Sequence, residues 1–239
     1  MISSSALPSD FLTTALKDGE LELKGQFMLG SNYTFLVSVH HAELEIPAVY
    51  KPARGEQPLW DFPVATLARR EVAAFVVSET LGFHFVPITV LREDGPYGPG
   101  SLQQFIEYDP EYHFFTFKPA DRARLDSVAL FDLLVNNADR KGSHVLIEKE
   151  TDKLWAIDHG ICFHSENKLR TVLWDFAGKT IPDEWISRLS AHRELRTLLK
   201  NYLSQEEIDA FTSRVEALLR KPRFPNPPQD RRGTPWPSI

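Results

Sequence analysis

The residues best suited to chemistry lie in two stretches, Asn136 to Ile147 (Asn-Asn-Ala-Asp-Arg-Lys-Gly-Ser-His-Val-Leu-Ile) and Trp155 to Gly160 (Trp-Ala-Ile-Asp-His-Gly). Asp139 and Arg140 stand in a polar loop between two apolar runs, His144 follows Asp139 at the fifth position, and Asp158 ends a short apolar run. One carboxylate that takes or orients a hydroxyl proton, a polar ligand shortly after it, and a second carboxylate that bridges a divalent cation to phosphates are the working parts of phosphoryl transfer. A carboxylate at the end of a buried strand is costly unless a cation meets it, and a bound metal ion would satisfy Asp158. Transfer also needs a cation on the phosphates. Lys51 ends a β-branched and aromatic run, and Glu71 follows on the next helical stretch as a partner for its ammonium. Gly30-Ser31-Asn32 offers backbone N–H groups and a hydroxyl where a phosphate-covering loop would lie. By itself that tripeptide also suits an ordinary tight turn.

His144 is the unusual member. Hard Mg²⁺ prefers oxygen ligands, whereas imidazole suits Mn²⁺, Zn²⁺ and softer ions. Zinc held by His144, His159, Cys162 and His164 is therefore an alternative, although no Cys-x-x-Cys type of ligand spacing accompanies these residues.

These residues need elements to position them. Apolar positions 11, 12, 15 and 16 predict a short helix with Asp10 as N-cap and Gly19 as its stop. Two alternating runs, Glu20 to Leu29 and Tyr33 to His40, predict a hairpin, and Ala48 to Pro52 the end of a third strand. Residues 53–62 read as a polar loop. Helical spacing covers Ala65 to Leu81 with Gly82 as C-cap, and strands are expected over Val86 to Arg92 and Gly100 to Tyr108. Further on, helices are expected over Asp121 to Val135, Pro182 to Asn201 and Ser204 to Leu219, the last opened by a capping box of Ser204 and Glu207. Two short strands, Val145 to Glu148 and Lys153 to Ile157, flank the turn before Asp158. The stretch from Lys221 to Ile239 holds six prolines and almost no periodicity, so it is expected to wrap the surface or stay disordered.

Composition narrows the partners. The chain has 239 residues, 42% of them hydrophobic, which suffices for one two-lobed domain or two small ones. A net charge of −6 with no basic cluster argues against a nucleic-acid partner. No run approaches the length of a membrane span, and a single cysteine fits a reducing compartment, so a soluble cytoplasmic protein is expected.

At Asp139-Arg140-Lys141-Gly142-Ser143-His144 and Asp158-His159-Gly160 the chain resembles the phosphatidylinositol 3-/4-kinase-like branch of the protein-kinase-like fold. It is most similar to small bacterial members of that branch and is related in pattern to HipA-type kinases, over residues 20–220. That branch reads Asp-Arg-His-x-x-Asn in its catalytic loop and Asp-x-Gly in its metal loop. The resemblance implies an α+β, two-lobed kinase-like fold: a mixed N-lobe with an antiparallel sheet over residues 1–108, a mainly helical C-lobe over 109–222, and a proline-rich tail over 223–239. It also implies ATP with Mg²⁺ or Mn²⁺ in the cleft and transfer of the γ-phosphoryl group to a hydroxyl of a protein or small molecule. Asp139 and Arg140 become catalytic, Asp158 the principal metal ligand, and Lys51 with Glu71 the phosphate-binding pair. The adenine hinge falls at Gln104, Phe105, Ile106 and Glu107. Lys141 and His144 depart from the family's histidine and asparagine, which leaves an altered second metal site, Mn²⁺ preference and a nucleotide-binding pseudokinase as alternatives, and related folds can also transfer AMP. The mixed charges after Asp158, Lys168, Arg170 and Lys179 among Glu166, Asp175, Asp183 and Glu184, do not support a phosphoinositide acceptor.

Overall fold

Strand β3 (Leu44–Pro52) shows how the sheet is built: its buried residues alternate, with Ile46, Ala48 and Tyr50 turned to one side. They meet Leu12, Ala15 and Leu16 of helix α1 (Ser9–Asp18), together with Phe35, Val37 and Val39 of β2 (Thr34–His41) and Leu102 of β5 (Gly98–Gln104). With β1 (Glu20–Phe27) and β4 (Thr89–Gly95) these form a five-stranded sheet in the order β1-β2-β3-β5-β4, every neighbouring pair antiparallel. Lys51 follows Tyr50 and so stands on the opposite face. The computed structural model describes residues 7–27 and 32–239.

Several boundaries differ from those the pattern suggests. Pro8, not Asp10, occupies the N-cap of α1, and Asp10 lies in the first turn, where its charge suits the positive end of the helix. Strand β3 begins at Leu44 because Ala42 and Glu43 both take left-handed backbone (φ 47° and 64°) and close a tight turn from β2. The expected strand over Gly100 to Tyr108 runs from Gly98 and stops at Gln104. Strand β4 starts beyond Pro87, which has no N–H to give a ladder.

Helix α2 (Leu67–Thr80) ends as expected at Gly82, whose φ of 71° disfavours any side chain. The helix expected over Asp121 to Val135 is two: α3 (Pro119–Ala123) and α4 (Asp126–Val135). Fully buried Leu125 turns the chain between them at φ −87°, ψ 2°. The helix expected over Pro182 to Asn201 is broken into α5 (Asp183–Arg188) and α6 (His192–Leu198), with tighter turns at Leu189–Ala191 and Leu199–Asn201. Ser187 and Ser190 donate to the carbonyls of Glu184 and Ser187, which favours the tighter turns over a continuous helix. Helix α7 (Gln205–Arg220) opens with the expected capping box. Strands β6 (Val145–Ile147) and β7 (Leu154–Ala156) form a separate antiparallel pair.

The chain divides into two compact units, Met1–Phe75 with Pro87–Glu107, and Val76–Val86 with Tyr108–Ile239. The first is the sheet with α1 and the first part of α2. The second is mainly helical, and at its core Phe83 stacks on Trp185 (5.0 Å) while Phe131 meets Phe83 and Phe85 edge-on. Segment 221–239 packs within this second unit, with Phe224 buried against Phe176. Among the described residues no helix is long and apolar enough to cross a membrane.

Candidate active site

Helix α4 delivers the catalytic-loop segment. It ends at Asn136 in left-handed backbone (φ 54°, ψ 52°), a conformation asparagine tolerates better than most residues. The Asn136 amide donates to the carbonyls of His164 (2.8 Å) and Glu166 (2.7 Å) and accepts from the Lys168 N–H (3.0 Å). Asn137 donates to Asp132 Oδ1 (3.0 Å) while its Oδ1 accepts the Asp139 N–H (2.9 Å). Two adjacent asparagines therefore tie the start of the Asp139 loop to α4 and to the 164–168 stretch.

Arg140 is the hub, and it is fully buried. Its Nε donates to both oxygens of Asp132 (3.1 and 3.2 Å), and its Nη2 lies 3.0 Å from Asp132 Oδ1. Nη1 donates to the carbonyls of His144 (3.1 Å) and Ile157 (2.7 Å). Nη2 also lies 2.7 Å from His159 Nε2, which must accept because a guanidinium only donates. One planar cation thus ties the Asp139 loop to the residues on both sides of Asp158. Although the resemblance makes Arg140 catalytic, its complete burial makes it a positioning residue that reaches no substrate. Asp132 escapes sequence reasoning, yet it is the carboxylate on which the loop hangs. Its second oxygen also accepts the Thr171 hydroxyl (3.1 Å). Thr171 belongs to the stretch after the Asp158 loop, and the Arg140 N–H to Arg170 carbonyl bond (3.0 Å) lays that stretch beside the Asp139 loop.

Around this frame stand the candidate reactive groups of the second unit. Asp139 Oδ2 lies 3.4 Å from Lys141 Nζ. Burial raises the Asp139 carboxyl to about 6 and the Asp158 charge adds to the rise, while Lys141 opposes it. Asp158 sits at φ 60° with about half of its side chain exposed, and its Oδ2 lies 3.3 Å from His144 Nε2. Aspartate enters this left-handed backbone more readily than most non-glycine residues. The His144 carbonyl accepts the Ile157 N–H (3.0 Å), which sets the register of the two loops.

A carboxylate oxygen and an imidazole nitrogen so close, with Asp158 open to solvent, fit one divalent cation that takes its other ligands from phosphate and water. Among the described residues there is no group of three or more His, Cys, Asp and Glu side chains able to hold a metal alone. That set therefore does not fit zinc in a closed protein cage: His159 Nε2 meets Arg140, and Cys162 is buried.

In the first unit Lys51 Nζ pairs with Glu71 Oε1 at 2.5 Å, and Glu71 is 2% exposed. Strand β3 supplies the lysine and helix α2 the glutamate, as their order in the chain requires. Gly30 and Ser31 lie outside the described residues. Asn32 accepts the Gln57 N–H through Oδ1 (2.7 Å), so its side chain carbonyl braces the 53–62 loop. Gln104 donates its N–H to Ile88 (2.8 Å) and Phe105 to Pro47 (3.4 Å) as the chain leaves the sheet. Gln104 and Ile106 are buried, Phe105 is half-buried and Glu107 exposed, and the first unit ends at Glu107.

No protein-family model matches the chain. Protein Rv2133c of Mycobacterium tuberculosis (strain ATCC 25618 / H37Rv) is 37% identical over 264 residues, covering 94% of this chain and 94% of that protein. The chain belongs to the Rv2133c family. A crystal structure of a Helicobacter pylori proinflammatory kinase, CtkA, superposes with a TM-score of 0.56 at 12% identity, over 87% of this chain and 94% of that one. This Rv2133c-family chain therefore has a mixed α+β, kinase-like fold. Asp139, Lys141, His144 and Asp158 come together in its second unit, and Lys51 and Glu71 in its first.

Proposed function

We propose that this protein is a metal-dependent kinase of the phosphatidylinositol 3-/4-kinase-like type, moving the γ-phosphoryl group of ATP to a hydroxyl on a protein or small molecule. The observation that carries the reading is the pairing of Asp158 with His144 at 3.3 Å beside Asp139, both loops hung on buried Arg140. The likeness to a kinase fold supports it.

The residues divide the work. Asp139 orients the acceptor hydroxyl and takes its proton, a role that suits a carboxyl raised toward neutral pH by burial. Asp158 and His144 hold Mg²⁺ or Mn²⁺, which when bound neutralises charge on the transferring phosphates. The nitrogen ligand favours Mn²⁺. Lys51, held in place by Glu71, serves the α- and β-phosphates, and Gln104 to Glu107 receive the adenine. Arg140 and Asp132 position Asp139 and Asp158 without touching the nucleotide.

The test is incubation of purified protein with γ-labelled ATP and either metal, using self-labelling and a cell extract as acceptors. Label should appear with the wild type and vanish in Asp158→Asn. Label persisting in that variant, or nucleotide-dependent thermal stabilisation with no turnover under any metal, overturns the assignment.

A further inference from the structure

The 221–239 segment meets the candidate site by main-chain hydrogen bonds. Its first part is anchored far from Asp139 in sequence terms: Pro222 accepts from Ile181 N–H (2.9 Å), and Phe224 exchanges bonds with Gly178 and Lys179 (3.0 Å each). Arg231 then donates to the Leu169 carbonyl (2.9 Å) and to Asn167 Oδ1 (3.0 Å). The Gly233 carbonyl accepts from the Thr171 N–H and from Trp174 Nε1, both at 3.0 Å. Finally the Ser238 carbonyl accepts the Gly142 N–H at 2.8 Å.

Both end points belong to the machinery. Thr171 is the residue whose hydroxyl binds Asp132, and Gly142 stands between Lys141, paired with Asp139, and His144, paired with Asp158. Gly142 is also a place where a side chain does not fit, since a Cβ there would lie 2.7 Å from the Phe115 ring. An extended peptide held by backbone bonds, with its side chains left to be read, is a common way for a protein to receive a peptide ligand. The segment carries two hydroxyl residues, Thr234 and Ser238, and Ser238 is the one whose own backbone is bonded to the catalytic loop. Its Oγ donates to the Pro235 carbonyl at 3.2 Å, longer than an ordinary O–H···O bond and easily surrendered. Pro235 and Pro237 both precede it and restrict the backbone before any ligand arrives.

We propose that Ser238 is an acceptor of this protein's own phosphoryl transfer, presented to the Asp139 loop in cis by the 221–239 segment; the inference rests on the kinase reading above. In the step, the Ser238 O–H bond breaks and its proton passes to the Asp139 carboxylate. The Oγ–P bond forms as the bond between the γ-phosphorus and the bridging oxygen breaks, and ADP leaves with that electron pair. The product carries about −1.5 to −2 charges next to loops that already hold two carboxylates, so like-charge repulsion loosens the Ser238 to Gly142 contact.

The experiment uses the full chain with γ-labelled ATP and Mn²⁺ or Mg²⁺, peptide mass spectrometry, and casein as an added acceptor. The expected result is label on Ser238 at a rate independent of protein concentration. Ser238→Ala should lose that label yet keep labelling casein, and Thr234→Ala should behave as wild type. Hydrogen exchange at Gly142 should quicken after phosphorylation. Label on other residues with Ser238 bare overturns the inference while leaving the kinase reading intact, and so does a Ser238 labelling rate that climbs with protein concentration. Absence of transfer to the chain and to casein alike, under both metals, overturns the two together.

Discussion

Replacing Arg140 by methionine tests the frame of the site. In the wild type the Asp132 carboxylate is fully buried; burial pushes its carboxyl up, and Arg140 is the foremost group pulling it back down. Methionine keeps much of the side-chain volume but removes the charge and the donors to Asp132, His144, Ile157 and His159. The stranded carboxylate then survives in the folded state only by binding a proton. Holding a carboxyl of ordinary value near 3.9 protonated at pH 7 costs about 1.4 kcal/mol for each of roughly three units, or about 4 kcal/mol. That agrees with the ~3–5 kcal/mol typical of removing one partner from a buried ion pair. The sign follows. A carboxyl whose folded-state value is raised favours the folded chain at low pH and loses that contribution as pH climbs, so the deficit of Arg140→Met should shrink as pH falls from 7 toward 5. Urea unfolding followed by tryptophan fluorescence, reported by Trp155 and Trp185 in the second unit, measures it at both pH values. Adding Asp132→Leu should recover part of the stability but none of the activity. A deficit below about 1 kcal/mol at pH 7, or one indifferent to pH, refutes the role assigned to the Arg140–Asp132 pair.

Other outcomes follow from the same geometry. Because the Asp139 carboxyl is raised to about 6, phosphoryl transfer should climb through that pH to a plateau above it, and Lys141→Met should move the rise to higher pH in a pH–rate profile. The same raised value favours the folded state in acid, a contribution lost as pH rises to about 6. Mn²⁺ should support turnover better than Mg²⁺, and His144→Asn should reverse that order in a metal titration. Lys51→Met should slow turnover by about 100-fold or more while leaving the fold intact by circular dichroism, since the ammonium serves the transition-state phosphates. Ser204→Ala removes the cap on α7 and should lower stability by about 1 kcal/mol in thermal or urea unfolding, with no effect on transfer.

What could be read from the chain depended on how local each signal is. The α7 capping box was legible because Ser204 and Glu207 satisfy each other's backbone within one turn. The β2–β3 turn was not, because Ala42 and Glu43 adopt left-handed backbone without the glycine or asparagine that usually announces it. Asp139, His144 and Asp158 could be singled out by type and spacing, and Lys51 and Glu71 by their order ahead of them. Asp132 could not, since its function lies in contacts with Asn137, Arg140 and Thr171 that only the folded chain makes. A lone aspartate in the otherwise apolar run Val128 to Val135 was the available signal, because a buried carboxylate needs a cation nearby. The resemblance makes Arg140 a catalytic group; its complete burial, which the sequence does not announce, suits a positioning residue. Segment 221–239 has no periodicity to betray where it lies, and its bonds to Thr171 and Gly142 run through the backbone, where no side-chain pattern encodes them.

The most direct test of the central claim is a comparison of γ-labelled and α-labelled ATP with wild type, Asp139→Asn and Asp158→Asn under Mn²⁺, reading label on protein and on an added acceptor. With the wild type γ-label alone should transfer, and neither variant should transfer it. Transfer of α-label would mean AMP is the group moved, and undiminished γ-transfer by either variant would contradict the roles given to Asp139 and Asp158.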